Sequence, residues 1–383
     1  MIAPEPFFEP RGTPFSEYHR IRALLDLGHT VDLVTYPFGK DVSLPGLRIF
    51  RAARPPFITR VKIGPSPAKL FLDMTLTLTA LNRARKDRYD AVHSHEEGAA
   101  IGVVISAALG IPHLYDMHSS LPQQLENFAF SRSATLRWMF QLLERTAIKR
   151  SRVTIVICPQ LEITARTVVP DARVVLIENA PGSGEMPVAG SGKAVRASLG
   201  IDERAPMVLY TGTFEAYQGL DLLFAAAKVV QTERPDARFV LAGGKADQVA
   251  RAKAQAAAAG ADGLVFTGEL PSDAIPAYLD AADTLVSPRS SGTNTPLKIY
   301  QYLRSGRVIV ATRLLTHTQV LSDDVAILTD PTADSFARGI LQAITDPAAA
   351  TRIGAAAKLL AETRYTYEAY LQRTREACAA LVA

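Results

Sequence analysis

The feature that most constrains this chain is an alternation, run through twice, of short β-branched apolar segments with stretches of helical periodicity. The first series is Val31-Asp32-Leu33-Val34-Thr35, Ala91-Val92-His93-Ser94, Val153-Thr154-Ile155-Val156-Ile157 and Val174-Val175-Leu176-Ile177. The second is Met207-Val208-Leu209-Tyr210, Arg238-Phe239-Val240-Leu241-Ala242, Leu264-Val265-Phe266, Thr284-Leu285-Val286-Ser287 and Val308-Ile309-Val310-Ala311. Alternation of this kind puts helices on both faces of a parallel sheet. Between the series stands Pro181-Gly182-Ser183-Gly184-Glu185-Met186-Pro187-Val188-Ala189-Gly190-Ser191-Gly192, rich in residues that break helix and strand, with little to bury. The reading is α/β: a domain over 1–180, a linker over 181–193, and a second domain over 194–364. A terminal helix over 365–383, carrying Tyr365, Tyr367, Tyr370 and Leu371, is expected to pack back on the first domain. At 383 residues with 48% hydrophobic content, the chain has apolar surface enough for two cores.

Ligands in such sheets bind beyond the carboxyl ends of the strands. In the first half, Thr13 can cap a helix, Pro14 suits its first turn, Tyr18, Ile21, Leu24 and Leu25 form one face, and Gly28 ends it. Only Met1, Ile2 and Ala3 precede Pro4, so the strand before this helix is nearly absent and the natural start is expected upstream. Gly12-Thr13 and Gly212-Thr213 each have the form of a glycine turn entering a helix, which leaves N–H groups suited to a diphosphate. The same turns also serve plain strand-to-helix geometry.

Composition removes several classes of function. The two cysteines, Cys158 and Cys378, fit no disulfide framework or zinc site, which agrees with a reducing cytosol. No apolar stretch of about 20 residues and no signal pattern occurs, so the chain is expected to be cytoplasmic, or peripheral at the inner face of the membrane. A net charge of +4 with dispersed basic residues gives no nucleic-acid footprint. Leu136 to Arg145, continuing to Lys149, Arg150 and Arg152, holds the only tryptophan, Trp138. It reads first as a helix with a buried stripe of Leu136, Phe140, Leu143 and Ala147, and second as a helix able to touch anionic lipid. His93-Ser94-His95-Glu96-Glu97-Gly98 puts two imidazoles on one strand face, but the sequence offers no third metal ligand nearby, and no metal is expected. Glu96 and Glu97 are expected to cap the helix starting near Gly98, or to contact hydroxyls of a bound molecule.

Ser287-Pro288-Arg289, then Pro296-Leu297-Lys298-Ile299-Tyr300-Gln301-Tyr302-Leu303-Arg304-Ser305-Gly306, and on to Val310-Ala311-Thr312, resembles the donor-site region of glycosyltransferase family 4. Companions stand in the family's order. They are Gly12-Thr13-Pro14, Leu27-Gly28-His29, Tyr115-Asp116-Met117-His118, Glu178-Asn179-Ala180, Tyr210-Thr211-Gly212-Thr213 with Gln218-Gly219, Leu241-Ala242-Gly243-Gly244, and Phe266-Thr267-Gly268-Glu269. The resemblance implies a GT-B fold, two Rossmann-like domains facing across a cleft. It also implies metal-independent, retaining transfer of a sugar from a nucleotide-diphosphate sugar to a glycan, lipid or small-molecule acceptor.

It further implies site residues. His118 would lie beside the transferred sugar, with Asp116 bracing it or capping the next turn. Gly12, Thr13, Gly212, Thr213 and Gln218 would contact the donor, with Arg289, Thr293, Asn294, Lys298 and Gln301 on the second loop and its helix. The chain departs from the family at Thr213 and Gln218, where Arg and Lys usually stand, and at Gln301, where a glutamate stands. A neutral amide lacks charge-assisted strength. Either Arg289 and Lys298 have taken over the cationic work, or the chain binds sugar nucleotides or glycans without transfer. A sugar-nucleotide epimerase on the same architecture is the third reading.

Overall fold

A computed structural model describes residues 1–8, 12–59, 61, 66–123, 133–179 and 188–382. The chain divides into two compact units, Met1–Asn179 with Tyr367–Ala383, and Ala180–Thr366.

In the N-terminal unit the elements run β1 (Ile2–Ala3), α1 (Gly12–Asp26), β2 (Val31–Thr35), β3 (Leu47–Arg51), α2 (Pro67–Lys86) and β4 (Val92–His95). They continue with α3 (Ala99–Leu109), β5 (His113–Met117), α4 (Ala134–Arg150), β6 (Val153–Val156), α5 (Pro159–Val168) and β7 (Val174–Leu176). The seven strands form one parallel sheet in the order β3-β2-β1-β4-β5-β6-β7. The short N-terminal strand sits near the middle of that sheet: Ile2 pairs with Val34 on one side and Ser94 on the other. β3 is absent from the sequence reading because Leu47-Arg48-Ile49-Phe50-Arg51 interrupts its apolar run with arginines, which an edge strand can turn to solvent.

The C-terminal unit contains α6 (Gly192–Ser198), β8 (Met207–Thr211), α7 (Leu220–Glu233), β9 (Arg238–Ala242), α8 (Ala246–Ala258), β10 (Val265–Gly268), α9 (Ile275–Ala281) and β11 (Thr284–Ser287). α10 (Leu297–Ser305), β12 (Val308–Thr312), α11 (Leu315–Thr318), β13 (Ile327–Thr329), α12 (Ala333–Thr345) and α13 (Pro347–Arg364) follow. Its parallel sheet has the order β10-β9-β8-β11-β12-β13. β8, β11 and β12 are buried along their whole length, which explains their near-continuous apolar sequences. One core cluster lies on each face of this sheet, built around Leu209, Tyr302 and Ile309 on one and Tyr210, Phe224 and Phe336 on the other.

The last helix, α14 (Tyr367–Val382), packs in the N-terminal unit. Arg20 Nη1 donates to Thr374 Oγ1 at 3.2 Å, Arg152 Nε to the Leu381 carbonyl at 3.1 Å, and Arg373 Nη1 to Glu178 Oε2 at 2.5 Å. Tyr365, read with this helix from sequence, lies in the C-terminal unit instead, its ring 5.0 Å from that of Tyr300. Most of the expected linker lies outside the described residues. Gly192 and Lys193, assigned to it from sequence, open α6, where Gly192 N donates to Asp280 Oδ2 at 2.8 Å. α1 begins at Gly12, so Thr13 falls inside the first turn rather than ahead of it.

The buried stripe read from sequence on α4 holds in part: Ala147 is buried and Leu136 and Phe140 are half-buried, but Leu143 is not. Glu144, Ala147 and Ile148 are its buried residues, whereas Leu143 is 43% exposed and Trp138 61% exposed. At 100° per residue, Glu144, Ala147 and Ile148 share one side, and Trp138, Met139, Leu142 and Leu143 the opposite one. Among the described residues, no helix is long and apolar enough to cross a membrane.

Candidate functional site

Each unit gathers chemistry at the carboxyl ends of its strands. In the C-terminal unit the centre is Lys298, in the first turn of α10 and buried although it is a lysine. Pro296 precedes the helix in extended conformation and Leu297 opens it, so the next side chain turns inward over β8. There the ammonium donates to the Thr211 carbonyl at 3.1 Å and to Gln218 Oε1 at 3.4 Å, and lies 3.9 Å from the Tyr210 ring centroid. Burial, reinforced by the Arg289 charge, holds its pKa well below that of an ordinary lysine. Arg289, in the loop after β11, donates from Nη1 to the Asn294 carbonyl at 2.6 Å and to Thr316 Oγ1 at 2.8 Å, and lies over the Tyr217 ring. Its pKa is also lowered, mainly by burial.

Among the described residues no carboxylate lies within ion-pair distance of Lys298 or Arg289, and Arg289 Nε is buried without a hydrogen-bond partner. Two adjacent, partly desolvated cations without a counter-charge form an anion site.

Other sequence candidates fall around this pair with different duties. Gln218 is buried and holds Lys298 by its carbonyl oxygen, and its Nε2 lies 3.5 Å from Thr213 Oγ1. The Thr213 carbonyl accepts the Tyr210 hydroxyl at 2.7 Å. Asn294 offers its carbonyl to Arg289 and Thr316, and the Thr293 carbonyl accepts from Gln319 Nε2. Gln301 is exposed one turn beyond Lys298 on α10.

The amide of Gly212 does not serve as the expected anion ligand, because it donates to the Ala242 carbonyl at 2.9 Å and extends the sheet. Nor does Gly212 open a helix: residues 213–219, including a 3₁₀ turn at Ala216–Gln218, come before α7. What Gly212 supplies is space. At φ +136° it is exposed, and a Cβ there would sit 3.6 Å from Lys298 Nζ. Gly243, at φ +130°, lets the Gly212 carbonyl approach so closely that any Cβ would collide with it.

Sequence reasoning missed the braces beneath the site. Tyr302 Oη accepts the Thr211 amide at 2.9 Å, closing the end of β8. His317 is fully buried, with Nε2 2.8 Å from Ser287 Oγ and Nδ1 2.8 Å from the Thr312 carbonyl. Burial, with Lys298 and Arg289 nearby, lowers its pKa to about 3 against the pull of the Thr312 hydrogen bond. The folded unit therefore keeps this imidazole neutral where the unfolded chain takes up a proton below about pH 6.5. Stability is full above that pH and falls on acidification toward pH 3. Between pH 7.5 and pH 5, His317 is expected to cost about 2 kcal/mol. Urea midpoints of the wild type and His317→Gln across that range would show it, and equal pH slopes would contradict it.

In the N-terminal unit the centre is Asp116, on β5. The pairing of β4 with β5 sets His95 opposite Asp116. Three imidazoles converge on the carboxylate: His93 Nε2 lies 3.3 Å and His95 Nε2 3.7 Å from Oδ2, and His118 Nε2 3.1 Å from Oδ1. Arg20 Nε, from α1, donates to Oδ2 at 2.9 Å with both partners fully buried. Burial raises the Asp116 pKa, but Arg20, His118 and His95 overcome it and hold the group well below the ordinary carboxylate range. His93 and His95 are both lowered, first by burial.

Sequence found no third group beside His93 and His95; the structure supplies Asp116, whose oxygen lies with the two imidazole nitrogens inside a 4.8 Å cluster. Arg20 already delivers a full positive charge to that carboxylate, so the cluster is compensated as it stands. Asp116 braces His118, as one of its two sequence readings had it. Glu96 and Glu97 form the 3₁₀ turn before α3. There Glu96 accepts the Ser119 hydroxyl at 3.0 Å, and Glu97 accepts Lys69 at 3.2 Å. Thr13 is half-buried in α1.

Two α/β units of parallel strands, each with polar groups gathered at its strand ends, define the GT-B class. The solved sucrose-phosphate synthase from Thermosynechococcus elongatus superposes over 100% of this chain and 98% of its own, with TM-score 0.80 at 20% identity. Anabaena HepE, solved in complex with UDP-glucose, does so over 99% and 98% at TM-score 0.73 and 17% identity. A glycosyl transferase 4-like domain matches residues 18–180, and a glycosyl transferases group 1 domain matches residues 192–360. The chain belongs to the GT-B glycosyltransferases related to family 4. The 2-deoxystreptamine N-acetyl-D-glucosaminyltransferase of Streptomyces fradiae is 30% identical over 270 residues. That match spans 64% of this chain and 63% of the relative, less than two thirds of its length.

Proposed function

We propose that the chain transfers a sugar from a nucleotide-diphosphate sugar to a hydroxyl of a glycan, glycolipid or polysaccharide precursor, with retention at the anomeric carbon. The observation that carries the reading is the buried pair Lys298 and Arg289, which has no carboxylate partner among the described residues. The donor's diphosphate supplies the missing negative charge, and that charge grows as the sugar–phosphate bond breaks, so preorganised cations favour the transition state over the ground state. Gly212 leaves room for the diphosphate beside the ammonium, and Gln301 reaches the ribose from the exposed face of α10. The leaving phosphate oxygen takes the acceptor's proton, and the protein's task is positioning.

The neutral Thr213 and Gln218 fit this reading, because Gln218 positions Lys298 instead of carrying a charge itself. The HepE complex supports uridine nucleotides as first candidates, and the Streptomyces relative supports an amino-sugar donor and an aminocyclitol acceptor among those tried. Purified protein is to be incubated with a panel of sugar nucleotides and cell extract, scoring nucleotide release and new glycosylated product by mass spectrometry. Release coupled to product is the expected result. Nucleotide binding with neither transfer nor donor hydrolysis would leave a binding protein, and conversion of the donor sugar with the nucleotide bond intact would make it an epimerase.

A further inference from the structure

We infer that the helical face formed by α2, α3 and α4 of the N-terminal unit docks on an anionic lipid bilayer. The three helices join the consecutive parallel strands β3, β4, β5 and β6, and α3 packs against both neighbours, so they form one layer on one face of the sheet. Each turns its small buried stripe inward: Leu72, Leu76 and Ala80 on α2, and Glu144, Ala147 and Ile148 on α4. The opposite stripes carry large apolar residues exposed to solvent, Leu70, Met74 and Leu78 on α2 and Trp138, Met139 and Leu142 on α4, with Val104 on α3 between them. Apolar side chains repeated on three neighbouring helices exceed the scattered exposure usual on a protein surface.

Charge selects the occupant. The last turns of the same helices carry exposed Arg85 and Lys86 on α2 and Lys149 and Arg150 on α4, with Arg145 one turn earlier. The one acid of α4, Glu144, is turned inward, where it accepts the Leu121 amide at 2.8 Å. On α2, Asp73 is taken by the Tyr36 hydroxyl at 2.5 Å. An apolar surface bordered by cations, its own helical acids withdrawn, matches acyl chains below phosphate head groups.

Topology adds a consequence. Crossover helices of a parallel sheet begin at the carboxyl ends of the strands, the end that carries His118. The exposed apolar residues run through the middle of the layer, from Leu70 to Leu78 on α2 and from Trp138 to Leu143 on α4, so a docked bilayer lies along the helices, their first turns after the strand ends included. Resting on the proposed transfer reaction, this assigns the acceptor to the lipid-borne class.

The chain carries its own probe, because Trp138 is its only tryptophan and lies in the exposed stripe. The full chain is to be mixed with vesicles of phosphatidylcholine alone and of phosphatidylcholine with 30% phosphatidylglycerol, following Trp138 emission, quenching by brominated acyl chains and co-sedimentation. Expected are a blue shift, quenching and sedimentation with the anionic vesicles only, weakened by salt. Partition should fall about fivefold for each of Arg145→Gln and Lys149→Gln, and be abolished by Leu142→Asp. Unchanged emission with the protein left in the supernatant overturns the inference. So does a Trp138 shielded in the free protein and released on dilution from a dimer, which assigns the face to a second copy. UDP binding measured on the same samples separates the two claims: vesicle binding without nucleotide binding removes the proposed reaction alone, and the converse removes the docking face alone.

Discussion

Lys298→Ala is expected to lower kcat/KM for the sugar-nucleotide donor by about 10²–10³, the size of effect that follows loss of one preorganised group facing developing charge. Most of the loss should appear in kcat, because the ammonium faces more negative charge in the transition state than in the bound donor. Lys298→Arg should recover little. The slot between the Thr211 carbonyl and the Tyr210 ring is filled by a compact ammonium, and a planar guanidinium cannot enter without moving β8 or α10. The pH dependence carries its own sign. Since the ammonium's pKa is well below the ordinary lysine value and only the protonated form attracts the diphosphate, donor affinity should fall as pH rises through that lowered pKa. A shallow alkaline limb, absent in Lys298→Ala, is the expected profile. Kinetics within threefold of wild type for Lys298→Ala would take the residue out of the donor site.

The second large effect belongs to the other unit and concerns stability. Asp116→Ala leaves the Arg20 guanidinium buried beside Thr374 and the Tyr370 ring, with its carboxylate gone, and is expected to destabilise the N-terminal unit by about 3–5 kcal/mol. Arg20→Met should cost a similar amount, because the carboxylate then stays buried with only histidines beside it. The double variant should cost clearly less than the sum, since it leaves neither charge stranded. Urea unfolding followed by a probe confined to this unit, such as Trp138 emission, would measure all three. Strict additivity would show that the two groups do not depend on each other. Because the Asp116 pKa is depressed, the stability it contributes is present above about pH 3.9 and is lost as pH falls through its folded value.

This pair shows where local sequence information ends. Arg20 and Asp116 are 96 positions apart, and nothing in the spacing of either announces the other. Asp116 was legible beside His118, yet its place opposite His95 depends on β4 and β5 pairing in one register, which is a long-range event. In the other unit Lys298 was legible from the segment around it, and its burial was not. An i, i+3 pattern places Lys298 and Gln301 on neighbouring parts of a helix surface, but only the packing of α10 over β8 makes one buried and the other exposed.

By itself the sequence determined the two series of parallel strands, because an apolar run covered on both faces is a local signature, and it singled out the segment that carries Arg289 and Lys298. The order of the strands, the near-central position of a strand only two residues long, the capture of Tyr365 by the C-terminal unit and the outward face of α4 were decided by tertiary structure. The reason is common to all four. Periodicity says that a helix or strand has an apolar side, but which side meets protein depends on the neighbouring elements. For Trp138, Met139, Leu142 and Leu143, no element among the described residues buries them.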